Sequence, residues 1–289
     1  MRRYCSHFVP LMKPAVSDRS AGRQLPRPKD VILRVLLATS GQPMAAQALV
    51  GACTLMGVSD NSARTALVRL RNAGLIQHID RGQYQLGPAA TTLADDVARW
   101  RSGEARVRPW SGGWIIVHTG ALPRSDRTVV RQRERALHLL GLRELESGLT
   151  LRPDNLSDSL DSIRDRLYRL GLDPAAAVFT TSTLDASRTQ AAPGLWRRRQ
   201  LELGYRQQIE TLGQWMDGWQ NKPLDQAARE AFELGDQAIR QLVFDPLLPD
   251  TLINTQLRAE FTDVALRFDR LGQAIWKQRA HQPEALDHG

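Results

Sequence analysis

Apolar positions change their spacing along this chain, and each change predicts a different kind of unit. Asp30 to Thr39 is largely apolar, with Val31, Leu33, Val35, Leu36 and Leu37, and reads as a helix broken at Gly41-Gln42-Pro43. Ala45 to Met56 reads as a second helix stopped by Gly57, a residue suited to a left-handed cap. A third begins at Ser59. Ala63, Leu67 and Leu70 recur on it at helical spacing and predict its buried stripe, while Asn61, Ser62, Thr65, Val68, Arg69 and Asn72 fall on the opposite face, flanked by Arg64 and Arg71. Gly74 ends this helix, and Leu75 to Ile79 and Gln83 to Leu86 read as two short strands around Asp80-Arg81-Gly82. Three helices and a small hairpin in this order predict a winged helix-turn-helix, with the third helix as the recognition helix and Arg81 at the tip of the wing.

After a connecting helix, Thr91 to Arg101, the glycines and proline of residues 102–113 mark a boundary. Trp114 to Thr119 (WIIVHT) is a continuous apolar strand, followed by a helix from Asp126 to Leu140. Arg143 to Glu146 and Leu149 to Leu151 are short strands joined by Ser147-Gly148, a two-residue hairpin signal. Leu156 to Leu170 is a helix and Ala177 to Thr181 a last strand, so the order is β-α-β-β-α-β, the ferredoxin-like arrangement. Beyond Leu195 the pattern is helical: Trp196 to Trp219, Leu224 to Val243 and Leu257 to Trp276, with Asp245 to Pro249 as a break. The expected class is α+β. The expected organisation is a basic arm over residues 1–28, a winged-helix unit over 29–90, a linker helix over 91–112, a ferredoxin-like dimerisation and sensing unit over 113–192, and a helical unit over 193–289.

Charge sharpens this division. The chain carries a formal net charge of +8, and residues 1–90 hold twelve basic residues against four acidic, so the whole excess lies there. Phosphate binding needs a local field, and this asymmetry points to a nucleic-acid module at that end. Ser59, Asn61, Ser62, Arg64, Thr65, Arg69, Arg71 and Arg81 are the candidate DNA contacts, with base contacts concentrated in the first half of the third helix. The blander readings are a soluble protein with a basic disordered tail, and a three-helix-plus-hairpin unit of the same shape that binds protein. Three arginines on the polar helix face weigh against the first.

Two cysteines, Cys5 and Cys53, cannot build a metal cluster or a disulfide framework. No apolar run approaches the roughly 20 residues of a membrane span, and the first 28 residues lack a secretory signal core, so a cytoplasmic location is expected. The six histidines show no metal-ligand spacing, and no nucleophile elbow, phosphate loop or paired-carboxylate motif is present. A nuclease built on the ferredoxin-like unit would want an acid at the end of the first strand, which instead ends Val117-His118-Thr119-Gly120. The expectation is a non-enzyme with no catalytic residue, cofactor or metal.

Three segments resemble the phenylacetate-repressor (PaaX) family of regulators: VSDNSARTALVRLRNAGL, the stretch WIIVHTGALPRSDRTVVRQRERALHLLGL with its tryptophan strand and arginine-rich helix, and DPLLPDTL at Asp245 to Leu252. The resemblance covers about residues 29 to 276. It implies a cytoplasmic dimeric transcriptional regulator, usually a repressor, that answers to an aryl-CoA thioester such as phenylacetyl-CoA. A two-fold dimer would present two recognition helices to a palindromic operator. Against that background two further sets of residues have two readings each. Arg124, Arg127, Arg131, Arg133 and Arg135 are either a solvated helix face or a site for the phosphates of a CoA group. Trp110, Trp114, Trp196, Trp215 and Trp219 are either core or an aromatic pocket for an aryl group. Trp114, Arg131 and Arg135 are the effector-binding candidates. Two alternatives stand beside the regulator reading: a GntR-like winged-helix regulator with another effector, and a ferredoxin-like nucleic-acid-processing protein.

Overall fold

A computed structural model describes residues 26–39, 42–80 and 82–281. Most of the basic arm expected over residues 1–28, and Arg81, lie outside the described residues.

Pro28 opens the first helix, α1 (Pro28–Ala38), where its missing N–H costs nothing. Helix α2 (Ala46–Leu55) and helix α3 (Asp60–Asn72) follow, and Val31, Ile32, Leu33, Leu36, Leu49, Cys53, Ala63, Leu67 and Leu70 close a core between the three. Burial pushes the Cys53 thiol up to about 11, so it is an inert core residue. The sequence predicts a two-stranded hairpin; the structure adds a third strand. β1 (Met44–Ala45) pairs antiparallel with β3 (Gln83–Leu86), which also pairs with β2 (Ile76–His78), in the order β1-β3-β2. Gly87 lets the chain leave this sheet against the end of α3. A Cβ there would lie 2.3 Å from the Gly74 carbonyl oxygen.

Helix α4 (Pro88–Ala98) leads into a 3-10 segment, Arg99–Arg106. The sequence reads this region as a linker and a break. In the structure it is packed inward: Trp100 is 1% exposed within the largest core, and Glu104 accepts two hydrogen bonds from Arg258, at 2.8 and 2.7 Å.

The second sheet contains β4 (Trp114–His118), β5 (Arg143–Glu146), β6 (Leu149–Pro153) and β7 (Ala177–Thr181) in the order β5-β6-β4-β7, every neighbour antiparallel. Helices α5 (Arg127–Leu139) and α6 (Leu160–Leu170) make the two crossovers. Period-two alternation sorts the strands. Ile115, Val117 and Val178 join Leu137, Ile163 and Leu167 in one core, while Trp114, Ile116 and Leu151 join the C-terminal helices in another. Both faces of this sheet are therefore covered. Helix α6 starts at Leu160 rather than Leu156, because Ser159 caps it (its hydroxyl accepts from the Ser162 N–H at 3.2 Å) and Asn155 is engaged elsewhere.

Helix α7 (Ala186–Ala191) leads to α8 (Arg198–Gly218), α9 (Leu224–Val243) and α10 (Thr255–His281). Trp196 stops short of the expected helix. It stacks on Trp114 at 6.3 Å, and its ring N–H donates to the Gly141 carbonyl at 2.9 Å. The protein is thus a mixed helix-and-sheet, α+β molecule. The N-terminal core rests on α9 and α10 through Phe232 and Trp276, an Arg34–Asp236 ion pair at 3.0 Å, and a 2.9 Å hydrogen bond from Arg229 to the Leu55 carbonyl.

Candidate nucleic-acid interface

Helix α3 divides along its length as its sequence demands. Ala63, Ala66, Leu67 and Leu70 are buried, and Asn61, Ser62, Arg64, Thr65, Val68, Arg69, Arg71 and Asn72 are all exposed. The Ser59 hydroxyl contacts the Ser62 hydroxyl at 2.9 Å and accepts from the Ser62 N–H at 3.4 Å, so it sets the start of α3. That is a positioning role beside the contact role expected for it. Asp60 accepts from the Thr54 hydroxyl at 2.9 Å, tying α3 to the end of α2.

The cations of this face are little compensated. Arg64 lies 4.0 Å from Asp60 with both side chains more than half exposed, a pairing weakened by solvent. Among the described residues Arg69 and Arg71 enter no salt bridge, whereas Arg34, counted with the same basic excess, is bound to Asp236. Seven of the eight residues expected to contact DNA thus share one helix or its cap. The eighth, Arg81, lies outside the described residues; nearby, His78 Nε2 accepts from the Gly82 N–H at 3.1 Å.

The effector candidates fare differently. Trp114 is 6% exposed and faces Trp110, at 5.1 Å, and Trp196. Arg131 and Arg135 belong to α5, which packs on the opposite face of the same sheet. The four strands lie between them, so the structure does not bring the three together. Trp215 packs at 5.1 Å on Phe268 and donates to Glu230 at 2.8 Å. All five tryptophans sit in one core or against it.

Two family models match the chain. One, described as PaaX-like protein, covers residues 27–90; the other, the PaaX-like protein C-terminal domain, covers residues 196–278. Together they span just over half of the chain. The chain belongs to the PaaX-like family. This is a family of regulators, generally without enzymatic activity, and membership points to a role in transcription. It also sets aside the GntR-like alternative. No curated protein matches the chain. Among solved structures the chain is similar to an uncharacterised protein, Rv0674, from Mycobacterium tuberculosis, at 23% identity and a TM-score of 0.55, over 87% of this chain and 99% of that one. That likeness concerns the fold alone. No helix among the described residues is long and apolar enough to cross a membrane, and no group of three or more His, Cys, Asp or Glu side chains among them could hold a metal ion.

Proposed function

We propose that this PaaX-like protein is a DNA-binding transcriptional regulator that reads double-stranded DNA with α3. The observation that carries the reading is the outer face of that helix: eight exposed residues, three of them arginines, above a fully buried apolar stripe. Three helices joined to a β1-β3-β2 sheet, with β1 between the first two helices, support a winged helix-turn-helix, in which the second of two angled helices enters the major groove. Asn61, Ser62, Arg64 and Thr65 would face base edges, and Arg69, Arg71 and Arg81 the phosphates. The β5-β6-β4-β7 order with two helical crossovers supports a ferredoxin-like middle unit. In this reading the protein is a cytoplasmic homodimer on a palindromic operator. It represses an aromatic-acid operon and is released by an aryl-CoA thioester.

The test is a salt titration of binding to genomic double-stranded fragments by fluorescence anisotropy. Log affinity is expected to fall linearly with log salt concentration. Arg64→Ala with Arg69→Ala is expected to weaken binding by at least tenfold while the melting temperature stays within a few degrees. Binding without salt dependence, or unchanged in the double variant, overturns the reading.

A further inference from the structure

The middle and C-terminal units meet around a small polar cavity. The 3-10 segment supplies Arg99 and Arg106, the sheet and its helices supply Leu139, Leu140, Arg152, Asp158 and Arg166, and the turn after α9 supplies Asp245 and Leu247. The space is about 10 Å3, room for the centre of one water molecule.

The charges on its walls do not balance. Arg99 is paired with Asp158 and Arg166 with Asp96. Asp245 accepts from the Tyr205 hydroxyl and from the Leu247 N–H at 2.8 Å, and its nearest arginine is Arg258, at 3.9 Å, which Glu104 already neutralises. Among the described residues Arg106 and Arg152 form no salt bridge, and Asp245 is the carboxylate that acts most strongly on Arg106. Arg152 is 1% exposed, and its guanidinium donates to the Pro153 carbonyl at 3.0 Å, to the Leu140 carbonyl and to the Asn155 side chain at 2.9 Å; none of these acceptors is a carboxylate. Arg106 makes one hydrogen bond with its side chain, from Nε to the Gly103 carbonyl at 3.3 Å. Burial and, secondly, Arg166 lower Arg152 to about 9, and burial lowers Arg106 to about 10 against the opposing pull of Asp245, so both stay charged at neutral pH. Asp245 is the one carboxylate of the wall left to oppose these two cations, so the wall keeps an excess of positive charge, a costly arrangement. The Nε of Arg99, buried on the same wall, also lacks an acceptor.

We propose that this junction is a binding site for a single oxyanionic head group, a carboxylate or a phosphate, gripped by the fork of Arg106 over the buried charge of Arg152. The charge-assisted, two-pronged contact that a guanidinium makes with either group suits such a site. Arg99 and Arg106 are partly exposed and form the mouth, while Arg152 is the floor. The present space is smaller than either head group, so entry requires those two side chains to swing outward. The bound anion would join the 3-10 segment, which carries the N-terminal unit, to the sheet beneath it. This site is separate from the α3 face and does not depend on the DNA reading.

The experiment is thermal unfolding of the full chain in sodium phosphate, sodium acetate and sodium chloride at matched ionic strength. Phosphate or acetate is expected to raise the melting temperature above the chloride value by roughly 3–5 °C at saturation. A rise in phosphate alone identifies a phosphate site, and a rise in acetate alone a carboxylate site. Arg106→Gln is expected to abolish the rise. Because Arg99 is partly exposed, Arg99→Gln provides a second variant should the first not fold, and it is expected to halve the rise or more. Arg64→Gln with Arg69→Gln, which removes cations only from α3, is expected to keep it in full. No rise over chloride, a rise unchanged in the junction variants, or a rise lost in the α3 variant overturns the proposal.

Discussion

Arginines occupy two opposite environments in this molecule. On α3, Arg64, Arg69 and Arg71 stand in solvent over a buried stripe. At the junction, Arg152 and Arg258 are 1% exposed and Arg166 is nearly as enclosed, each held by carbonyls, amides or carboxylates. The side chain is the same, but the consequence of removing it is not. A solvated guanidinium contributes little to folding and much to the long-range field that a polyanion meets. A buried one is a strut: its loss leaves acceptors unsatisfied and a void behind. Three substitutions and one titration test this contrast, ranked by their effect on folding.

Arg152→Ala is expected to have the largest effect. It strands the Leu140 and Pro153 carbonyls and the Asn155 side chain, and Asn155 in turn donates to the Leu247 carbonyl at 2.8 Å. The loss should be about 3–5 kcal/mol, read as a lower denaturant midpoint. A loss under about 1 kcal/mol would mean that the junction tolerates opening and that Arg152 is not a strut.

Next comes acid. His138 sits at the end of α5 against Phe244, 5.5 Å away, where burial and, secondly, Arg143 hold its pKa down at about 4. The folded protein prefers the neutral ring. His138 therefore contributes stability that is complete above about pH 6.5 and is lost as the pH falls through 4. The contribution is about 2–3 kcal/mol at neutral pH. His138→Gln should flatten the dependence of unfolding free energy on pH between 6.5 and 4. An unchanged slope would place the acid sensitivity elsewhere.

The two environments were not equally legible in the sequence. Helix α3 could be read because every position on it obeys one period: Ala63, Leu67 and Leu70 inward, polar and cationic residues outward, with Ser59 and Gly74 as its ends. The order of the middle strands was readable for a related reason, since Trp114 to His118 is apolar on both faces and so had to be covered on both. The junction was not readable. On β6, alternation from Leu149 and Leu151 assigns Arg152 to the other face, which for a surface sheet would be solvent; here it lies beside Ile115 under α5 and α6. Balanced charge concealed the cluster too. The last 199 residues contain as many acids as bases, but in space Arg99, Arg106, Arg152 and Arg166 line one cavity with two carboxylates, Asp158 and Asp245. The placement of Trp114 on one face of the sheet and of Arg131 and Arg135 on the helix packed against the other was hidden for the same reason.

Ser59→Ala isolates the local part of the reading helix. It removes a cap whose contact with the Ser62 N–H is long, at 3.4 Å, so the expected cost is at the low end of the capping range, about 0.5–1 kcal/mol. Hydrogen exchange should show it first in the opening turn of α3. A cost above about 2 kcal/mol would make Ser59 more than a cap.

Arg69→Ala should have the smallest effect on folding and still be decisive for the comparison. Arg69 is exposed, forms no salt bridge among the described residues, and lies two turns from the start of α3. Its removal uncovers no apolar core and strands no acceptor, so the unfolding free energy should stay within about 0.5 kcal/mol of the parent. On DNA the same change deletes one phosphate contact. Affinity should weaken about equally across sequences, and the slope of log affinity against log salt should become shallower by about one. A junction variant such as Arg106→Gln should do the reverse, with stability or anion response altered and the salt slope unchanged. If Arg69→Ala moved stability and left the slope intact, the exposed arginines of α3 would be structural, and the distinction between a field and a strut would not hold for this protein.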